Sequence, residues 1–381
     1  MKRHIADALD TRIEDQGSRW QISLRLDGKP VSGLGVVKKK MRIGAATVRM
    51  GGVAGVWTHK DHRLKGFASR AMQEGIALMK AENYPFSILF GITDFYHRYG
   101  YGVAFPSSTI DVETQALPRS RGPHTIRTMA RADIPLVAQL YNRCNAARSG
   151  TVVRAKDWQP AWRMPRMGEG TQRRQGRGIV ACHPSGRITG YAVYDAQAGH
   201  LHVSELSGMD GAAFHTLAAA LGRRARAGGA KRIRFHLPED DPFGAFCGRY
   251  GCRWHIGHPR NGGSMGGIVD LTALMKKLTP AFAHRLNVSG AEWDRPIRLV
   301  TDIGLVDLVK DGASVAVNTP TRRRATAVDI PQMALMQLVM GYRSVRDVAY
   351  DQDVNIPATA FPALDALFPT GYPYMWWTDR F

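Results

Sequence analysis

The string Phe95-Tyr-His-Arg-Tyr-Gly-Tyr101 returns further along as Phe246-Cys-Gly-Arg-Tyr-Gly-Cys252. Four of seven residues are identical, and each copy closes a similar run of strands, a helix and a short strand. Self-similarity of this kind marks a repeated supersecondary unit, so two related domains are expected. Length agrees, since 381 residues exceed what one core supports and suggest two or three domains.

In the first copy, residues 19 to 58 alternate in a strand-like way and predict an antiparallel meander. Residues 67 to 82 change to helical period, with Ala68, Met72, Gly75, Ile76 and Met79 on one face. FSILFG and STIDVE read as further strands, and QALPRSRGPHT as a linker. The second copy starts at TIRTMARADIPLVAQLYN, where Arg127 and Asp133 bracket a helix start. It continues through RGIVACH, GYAVYD and HLHVSEL to the helix AAFHTLAAALGRRARA and the strand KRIRFHL. From LTALMKKLTPAFAHRL onward the pattern is helix, short strands (PIRLVTD, GLVDLVKDG, ASVAVN) and helices again, a small α+β unit.

Lys+Arg number 52 against 32 Asp+Glu, a net +20, which favours an anionic partner such as nucleic acid, a membrane surface or a phosphate-bearing cofactor. The basic residues lie in short clusters, Lys38-Lys39-Lys40, Arg173-Arg174, Arg223-Arg224 and Arg322-Arg323-Arg324. With no basic helix and no aromatic-interleaved stripe, a solvated basic surface is the plainer expectation and nucleic acid is not favoured. No run of 18 apolar residues and no apolar leader is present, so neither a membrane span nor a secretory signal is expected. Cys144, Cys182, Cys247 and Cys252 suit reduced thiols in a cytoplasm. His59, His62 and His97 fit no ligand spacing, so no metal is expected.

The chemistry sits in VAGVWTHKDHRLKGFASRAM, where a strand runs into a basic, glycine-containing turn that opens into a helix. A helix N-terminus presents free N–H groups and the positive end of the dipole to a phosphate. Gly66 lets backbone approach an anion, and Arg63 and Lys65 supply charge. Taken alone, these residues fit a structural left-handed turn equally well.

The pattern Arg63-x-x-Gly66-x-Ala68 after a strand, followed by an amphipathic helix, a short strand and FYHRYGY, resembles the GNAT N-acetyltransferases. The resemblance implies acetyl-CoA, its pyrophosphate held by the turn and its pantetheine arm paired to a strand that splays from its neighbour. Implied contacts are Val56, Trp57 and Thr58 on the strand, then Arg63, Leu64, Lys65, Gly66, Phe67, Ala68 and Ser69 on the turn. Tyr96 and His97 are implied beside the thioester arm. The equivalent place in the second copy, SELSGMDGAAFHTL, offers Glu205 and Asp210 and no Arg or Lys, so a GNAT-like scaffold without a cofactor site is expected.

Two such units followed by a small α+β unit resemble the enhanced-intracellular-survival (Eis) group. The implied fold is α/β: tandem GNAT-like domains with mixed central sheets at 1–120 and 121–270, and a sterol-carrier-protein-like α+β domain at 271–381. The resemblance makes Tyr101 the general acid and the terminal carboxylate, here at Phe381, the general base for acetyl transfer to a primary amine by direct attack. It also accounts for the ending PYMWWTDRF, with Trp376, Trp377 and Phe381 as anchors. A homo-oligomer, a hexamer by resemblance, is implied. Only about 18 residues precede Arg19, and Arg380 stands beside Phe381 where a carboxylate is usual, so the acceptor stays open between an aminoglycoside, a lysine and another amine. A nucleic-acid-associated or lipid-binding protein without catalysis is the alternative.

Overall fold

A computed structural model describes residues 9–158, 176–197, 199–320 and 324–381. Four strands open the described chain: β1 Leu9–Asp15, β2 Arg19–Leu26, β3 Lys29–Ile43 and β4 Ala46–Thr58. The last three are the expected meander, with Trp20, Ile22 and Leu24 alternating inward from β2. The sequence gives no element before Arg19, yet β1 pairs with β2 from Leu9↔Leu26 to Asp15↔Trp20. Every residue of β1 is exposed, so backbone pairing alone makes the strand and no burial pattern announces it.

Next come α1 Phe67–Ala81, β5 Phe86–Ile92, the short α2 Thr93–Tyr96 and β6 Gly102–Phe105. Helix α1 buries Ala71, Met72, Gly75 and Met79, close to the expected face. The second copy supplies β7 Ser107–Glu113, β8 Thr125–Thr128, α3 Ile134–Cys144, β9 Arg177–Cys182, β10 Ile188–Gln197 and β11 His200–Gly208. It continues with α4 Gly211–Ala227, β12 Arg232–Phe235, α5 Pro242–Cys247 and β13 Cys252–Gly257. Arg127 does bracket the start of α3, through a bidentate bond to Asp133 at 2.6 and 2.8 Å. The rest is β14 Asn261–Ile268, α6 Leu271–Ser289, β15 Ile297–Thr301, β16 Gly304–Asp311, β17 Ser314–Asn318, β18 Thr326–Asp329, α7 Gln332–Met340, α8 Val345–Val348 and α9 Phe361–Leu367.

Three mixed or antiparallel-rich sheets result, ordered β1-β2-β3-β4-β5-β14-β6, β13-β7-β12-β11-β10-β9-β8 and β17-β16-β15-β18. Two strands cross the expected boundaries. β7 precedes residue 120 but lies between β13 and β12 in the second sheet, and β14 precedes residue 271 but lies between β5 and β6 in the first. The chain therefore forms two compact units instead of three consecutive ones: residues up to Phe105 with His258–Gly371 and Phe381, and Pro106–Gly257 with Tyr372–Arg380. In the first unit α6 packs on β4, β16 and β17, and α7 lies across β6 and β14. The third sheet thus shares its compact unit with the first copy, because α6 and α7 bury their apolar faces there.

The repeated string has the same local structure twice. Each copy is a short helix and a 3-10 turn, closed by a positive-φ glycine that leads into a strand: Gly100 at φ 78° and Gly251 at φ 71°. The expected basic clusters Arg173-Arg174 and Arg322-Arg323 lie outside the described residues.

Candidate active site

In the first unit β4 runs parallel to β5 for only four rungs, Met50↔Phe86 to Val53↔Leu89. Beyond them β4 continues to Thr58 on β3, while β5 continues to Ile92 on β14. A bulge falls just past the last rung, where Gly35↔Ala54 gives way to Gly33↔Trp57. Bulges increase local twist and turn a strand from its neighbour. The facing edges of Ala54–Thr58 and Phe90–Ile92 thus share no ladder, which leaves backbone groups for an extended ligand. Val56 and Thr58 are half-buried and Trp57 is 38% exposed. Thr58 Oγ1 lies 2.9 Å from Ser32 Oγ, so its side chain is turned to β3.

After β4 the chain makes one 3-10 turn, Lys60–His62, and reaches Leu64 at φ 61° with its side chain fully exposed. Gly66 is the N-cap of α1 at φ 81°, without a side-chain cap, and nothing stands within 4 Å of where its Cβ would be. Positive φ favours glycine here, and the open space before it leaves the first turn of α1 accessible. Arg63 and Lys65 are exposed. Ser69 Oγ meets Tyr99 Oη at 2.6 Å, tying the first turn of α1 to the repeated string, and the Phe67 ring packs against His62. An uncapped helix start, flanking cations and an unpaired strand edge suit the phosphates and amides of acetyl-CoA.

Tyr101 is 1% exposed and packs with Met72, Met79, Leu89 and Met265 on the α1 side of the sheet. Its hydroxyl makes no hydrogen bond of normal geometry, and the nearby Ser87 hydroxyl donates to the Gly51 carbonyl at 2.7 Å. Burial raises the Tyr101 pKa above the ordinary phenol value, only partly offset by Ser87, so the group holds its proton. Tyr96 is half-buried, its ring against Gly91 and 6.4 Å from that of Tyr101, and its pKa is likewise raised, chiefly by burial. His97 is exposed.

The Phe381 ring lies against Gly52, where a Cβ would come within 2.3 Å of it, and 5.8 Å from the Phe90 ring. Gly51, one residue away, faces Met79 of α1, so strand alternation puts Phe381 on the other face of the sheet from Tyr101. Both flank the point where β4 and β5 part.

Of the expected anchors of the aromatic tail, Trp376 is buried. It lies with Tyr374 in the second unit's core, where its Nε1 donates to Asn145 Oδ1 at 3.0 Å. Trp377 is half-buried between the rings of His236 and the Arg380 guanidinium, which lies 4.0 Å over it. Arg380 is itself only 8% exposed, and burial lowers its pKa to about 10, so it is no solvated cation.

Glu205, within the expected strand HLHVSEL, sits on β11, fully buried and held by Arg154 at 2.6 Å through both oxygens. Asp210 does stand at the second helix start, where its carboxylate accepts from Ala213 N at 2.8 Å and caps α4. Arg154, in the unremarkable stretch TVVRAKDW, carries no sequence signal for this role, because burial follows only from tertiary packing.

A separate concavity of about 900 Å³ in the second unit is lined by Asp111, Glu113, His202, Lys231, Arg232 and Arg234 among others. Arg234 and Arg232 are paired with Asp111 and Glu113 at 2.7 Å, which consumes much of its positive charge. Among the described residues no group of three or more His, Cys, Asp or Glu could hold a metal ion, and no helix is long and apolar enough to cross a membrane.

Comparison with known proteins agrees with this geometry. Residues 7–104 match one acetyltransferase (GNAT) domain model and residues 150–248 another. No curated protein matches the sequence significantly. Among solved structures, a protein from Enterococcus faecalis described as a probable N-acyltransferase is similar at TM-score 0.76 and 19% identity, over 96% of this chain and 90% of that one. A GCN5-related N-acetyltransferase from Kribbella flavida gives 0.72 and 18%, over 95% and 87%. Eis1 from Mycobacterium abscessus gives 0.66 and 17%, over 96% and 91%. The GNAT matches span just over half of the sequence, and the chain belongs to the acetyl-CoA-dependent GNAT acetyltransferases, with two such domains in tandem.

Proposed function

We propose that the first GNAT domain acetylates a primary amine by direct attack on acetyl-CoA, in the manner of the Eis group. Tyr101 is the general acid, and the α-carboxylate of Phe381 is the general base. The register of β4 carries this conclusion: its pairing with β5 ends at Val53↔Leu89, beside the uncapped start of α1. Val56, Trp57 and Thr58 offer their backbone to the pantetheine arm, Arg63 to Ser69 receive the pyrophosphate, and Tyr96 and His97 border the thioester. The neutral amine forms a C–N bond to the thioester carbonyl as the C–S bond breaks. The proton shed by nitrogen passes to the Phe381 carboxylate, and Tyr101 Oη–H protonates the leaving sulfur. An α-carboxyl serves as base only if its surroundings raise it from its ordinary value of about 3.5.

The second unit is assigned no acetyl-CoA site, because Asp210 occupies its helix start. The third sheet with α6 to α9 is read as the sterol-carrier-like part, and the assembly as a cytoplasmic homo-oligomer of six. Asp94, beside the repeated string, is ion-paired with Arg260 and offers no free carboxylate to a polycation. That favours a lysine or a small amine over an aminoglycoside as acceptor.

The test is thiol release from acetyl-CoA across aminoglycosides, polyamines, lysine peptides and small amines, in wild type and in a chain extended by one glycine after Phe381. Turnover that collapses in the extended chain, with acetyl-CoA binding kept, supports the carboxylate as base. Equal turnover in both sinks that role.

A further inference from the structure

A buried ion cluster in the second unit closes on the tail. The Arg154 guanidinium, its side chain fully buried, donates to both Glu205 oxygens at 2.6 Å, to Asp379 at 2.9 and 3.2 Å, and to the Thr378 hydroxyl at 2.9 Å. Its flat faces meet the rings of Tyr141 at 3.5 Å and Trp158 at 3.9 Å. The Tyr191 and Thr378 hydroxyls complete the shell of Glu205. Two carboxylates share one guanidinium, and the pKa of Glu205 is raised, first by burial and further by Asp379, against the pull of Arg154.

The cluster lies where β11 leaves β12. Their parallel pairing ends at Val203↔Phe235, and Glu205 is two residues beyond. Trp377, against the His236 ring, borders the far side of that parting. The tail therefore fills, in the second unit, the place that the first unit keeps open between β4 and β5. Apolar burial of Met375 and Trp376 already anchors it. What a fully bonded guanidinium adds is direction, because its planar fork fixes residues 378 and 379 in one register. Buried ionic groups contribute little net stability, and a registry role is their best-attested use.

We infer that Arg154 is a positioning residue for the tail: its clamp on Thr378 and Asp379 fixes the chain two residues before Phe381 and so restricts, through the chain itself, the freedom of that terminal residue. This rests on the role proposed for Phe381, with Arg154 acting through the tail and touching no substrate.

The test uses the full chain with Asp379→Asn, which keeps shape and leaves Arg154 balanced by Glu205 alone, and Thr378→Val, which removes one hydroxyl and no charge. Amide hydrogen exchange of residues 376–381 should rise about tenfold or more while exchange elsewhere holds. Acetyl-CoA KM should stay within about twofold while kcat falls by about 100-fold for Asp379→Asn, and less for Thr378→Val. If the tail amides stay protected in both variants, the clamp does not hold the tail. A loosened tail with unchanged kcat also overturns the positioning role. Should Asp379→Asn not fold, Thr378→Val decides by the same two readouts. Wild type without turnover on any amine defeats the role of Phe381 itself, and that failure is distinct because exchange in the variants still reports the clamp.

Discussion

In each unit a strand leaves its parallel neighbour and runs to a helix, but the two helix starts are built oppositely. β4 parts from β5 after Val53↔Leu89 and β11 from β12 after Val203↔Phe235, and each parting strand carries a bulge just beyond. Two residues past the last rung the first copy has Gly55, with nothing within 4 Å of its Cβ position, and the second has the buried Glu205. Residues 59 to 66 separate strand from helix in the first copy, and only Met209 and Asp210 in the second. α1 starts on Gly66 with no side-chain cap, whereas α4 starts on Asp210, which bonds Ala213 N. A helix start carries roughly half a positive charge. One copy leaves that charge without a side-chain cap, and the other neutralises it with its own carboxylate. Under the proposed function, the same sheet and helix thus stand with an anion site in one copy and without one in the other.

The sharpest way to break this contrast is to give the first copy the second copy's cap. Gly66→Asp imposes a side chain at φ 81° and adds a carboxylate where phosphate is expected. Left-handed backbone costs a non-glycine residue about 1–3 kcal/mol, and charge repulsion adds to it. Acetyl-CoA affinity should fall at least about 100-fold, and the rise in Tm on adding acetyl-CoA should vanish. Gly66→Ala should lose only the strain component. Titration calorimetry that finds Gly66→Asp as tight as wild type would remove the phosphate role of this turn.

Tyr101→Phe comes next. The ring keeps its packing on Gly267, and only an unpartnered hydroxyl is lost. A general acid contributes about 10²–10⁴ in rate, so kcat should fall by that range with acetyl-CoA KM unchanged. An unsatisfied buried hydroxyl costs about 1–3 kcal/mol, so Tm should hold or rise. A lowered Tm with unchanged kcat would make Tyr101 a packing residue.

Much of the contrast was legible in the sequence. The repeated FYHRYGY string, the basic turn before α1 and its absence before α4 are local features, and local features survive into structure. The strand that carries Glu205 was legible in HLHVSEL, but the burial of its charge was not. Ser204 forms a bulge that alters the strand's alternation, and the charge is tolerable only beside Arg154, which is far off in sequence. The exchange of β7 and β14 left no trace either, because period-two alternation identifies a strand and says nothing of which sheet receives it. β1 escaped notice because it buries nothing.

Acidification should single out the second unit. Burial, with Arg234 nearby, lowers the His202 pKa to about 4, and burial beside His202 takes His236 well below its ordinary value. Unfolded imidazoles bind protons near pH 6.5, whereas these folded ones stay neutral to lower pH. The folded state therefore loses stability as pH falls below about 6.5, by up to about 1.4 kcal/mol per pH unit for His236. His202, only partly buried, contributes less, and its share ends near pH 4. Thermal unfolding followed between pH 7 and 5 should show this slope, and His236→Asn should flatten it. An unchanged slope in the variant assigns the acid sensitivity elsewhere.

The smallest effect asks whether the cap alone silences the second copy. Asp210→Ala leaves Ala213 N without its acceptor, a loss of about 1 kcal/mol for an N-cap. For a unit of this size that lowers Tm by about 2–4 °C. Acetyl-CoA stoichiometry should nevertheless remain one per chain. Uncapping α4 restores free N–H groups but not the longer turn with Arg63, Lys65 and Gly66, and the parting of β11 from β12 still holds the buried Glu205 and the tail. A second equivalent of bound acetyl-CoA in Asp210→Ala would mean that one carboxylate was the whole barrier. One equivalent, with the modest loss in Tm, would mean that turn and tail close the site independently of the cap.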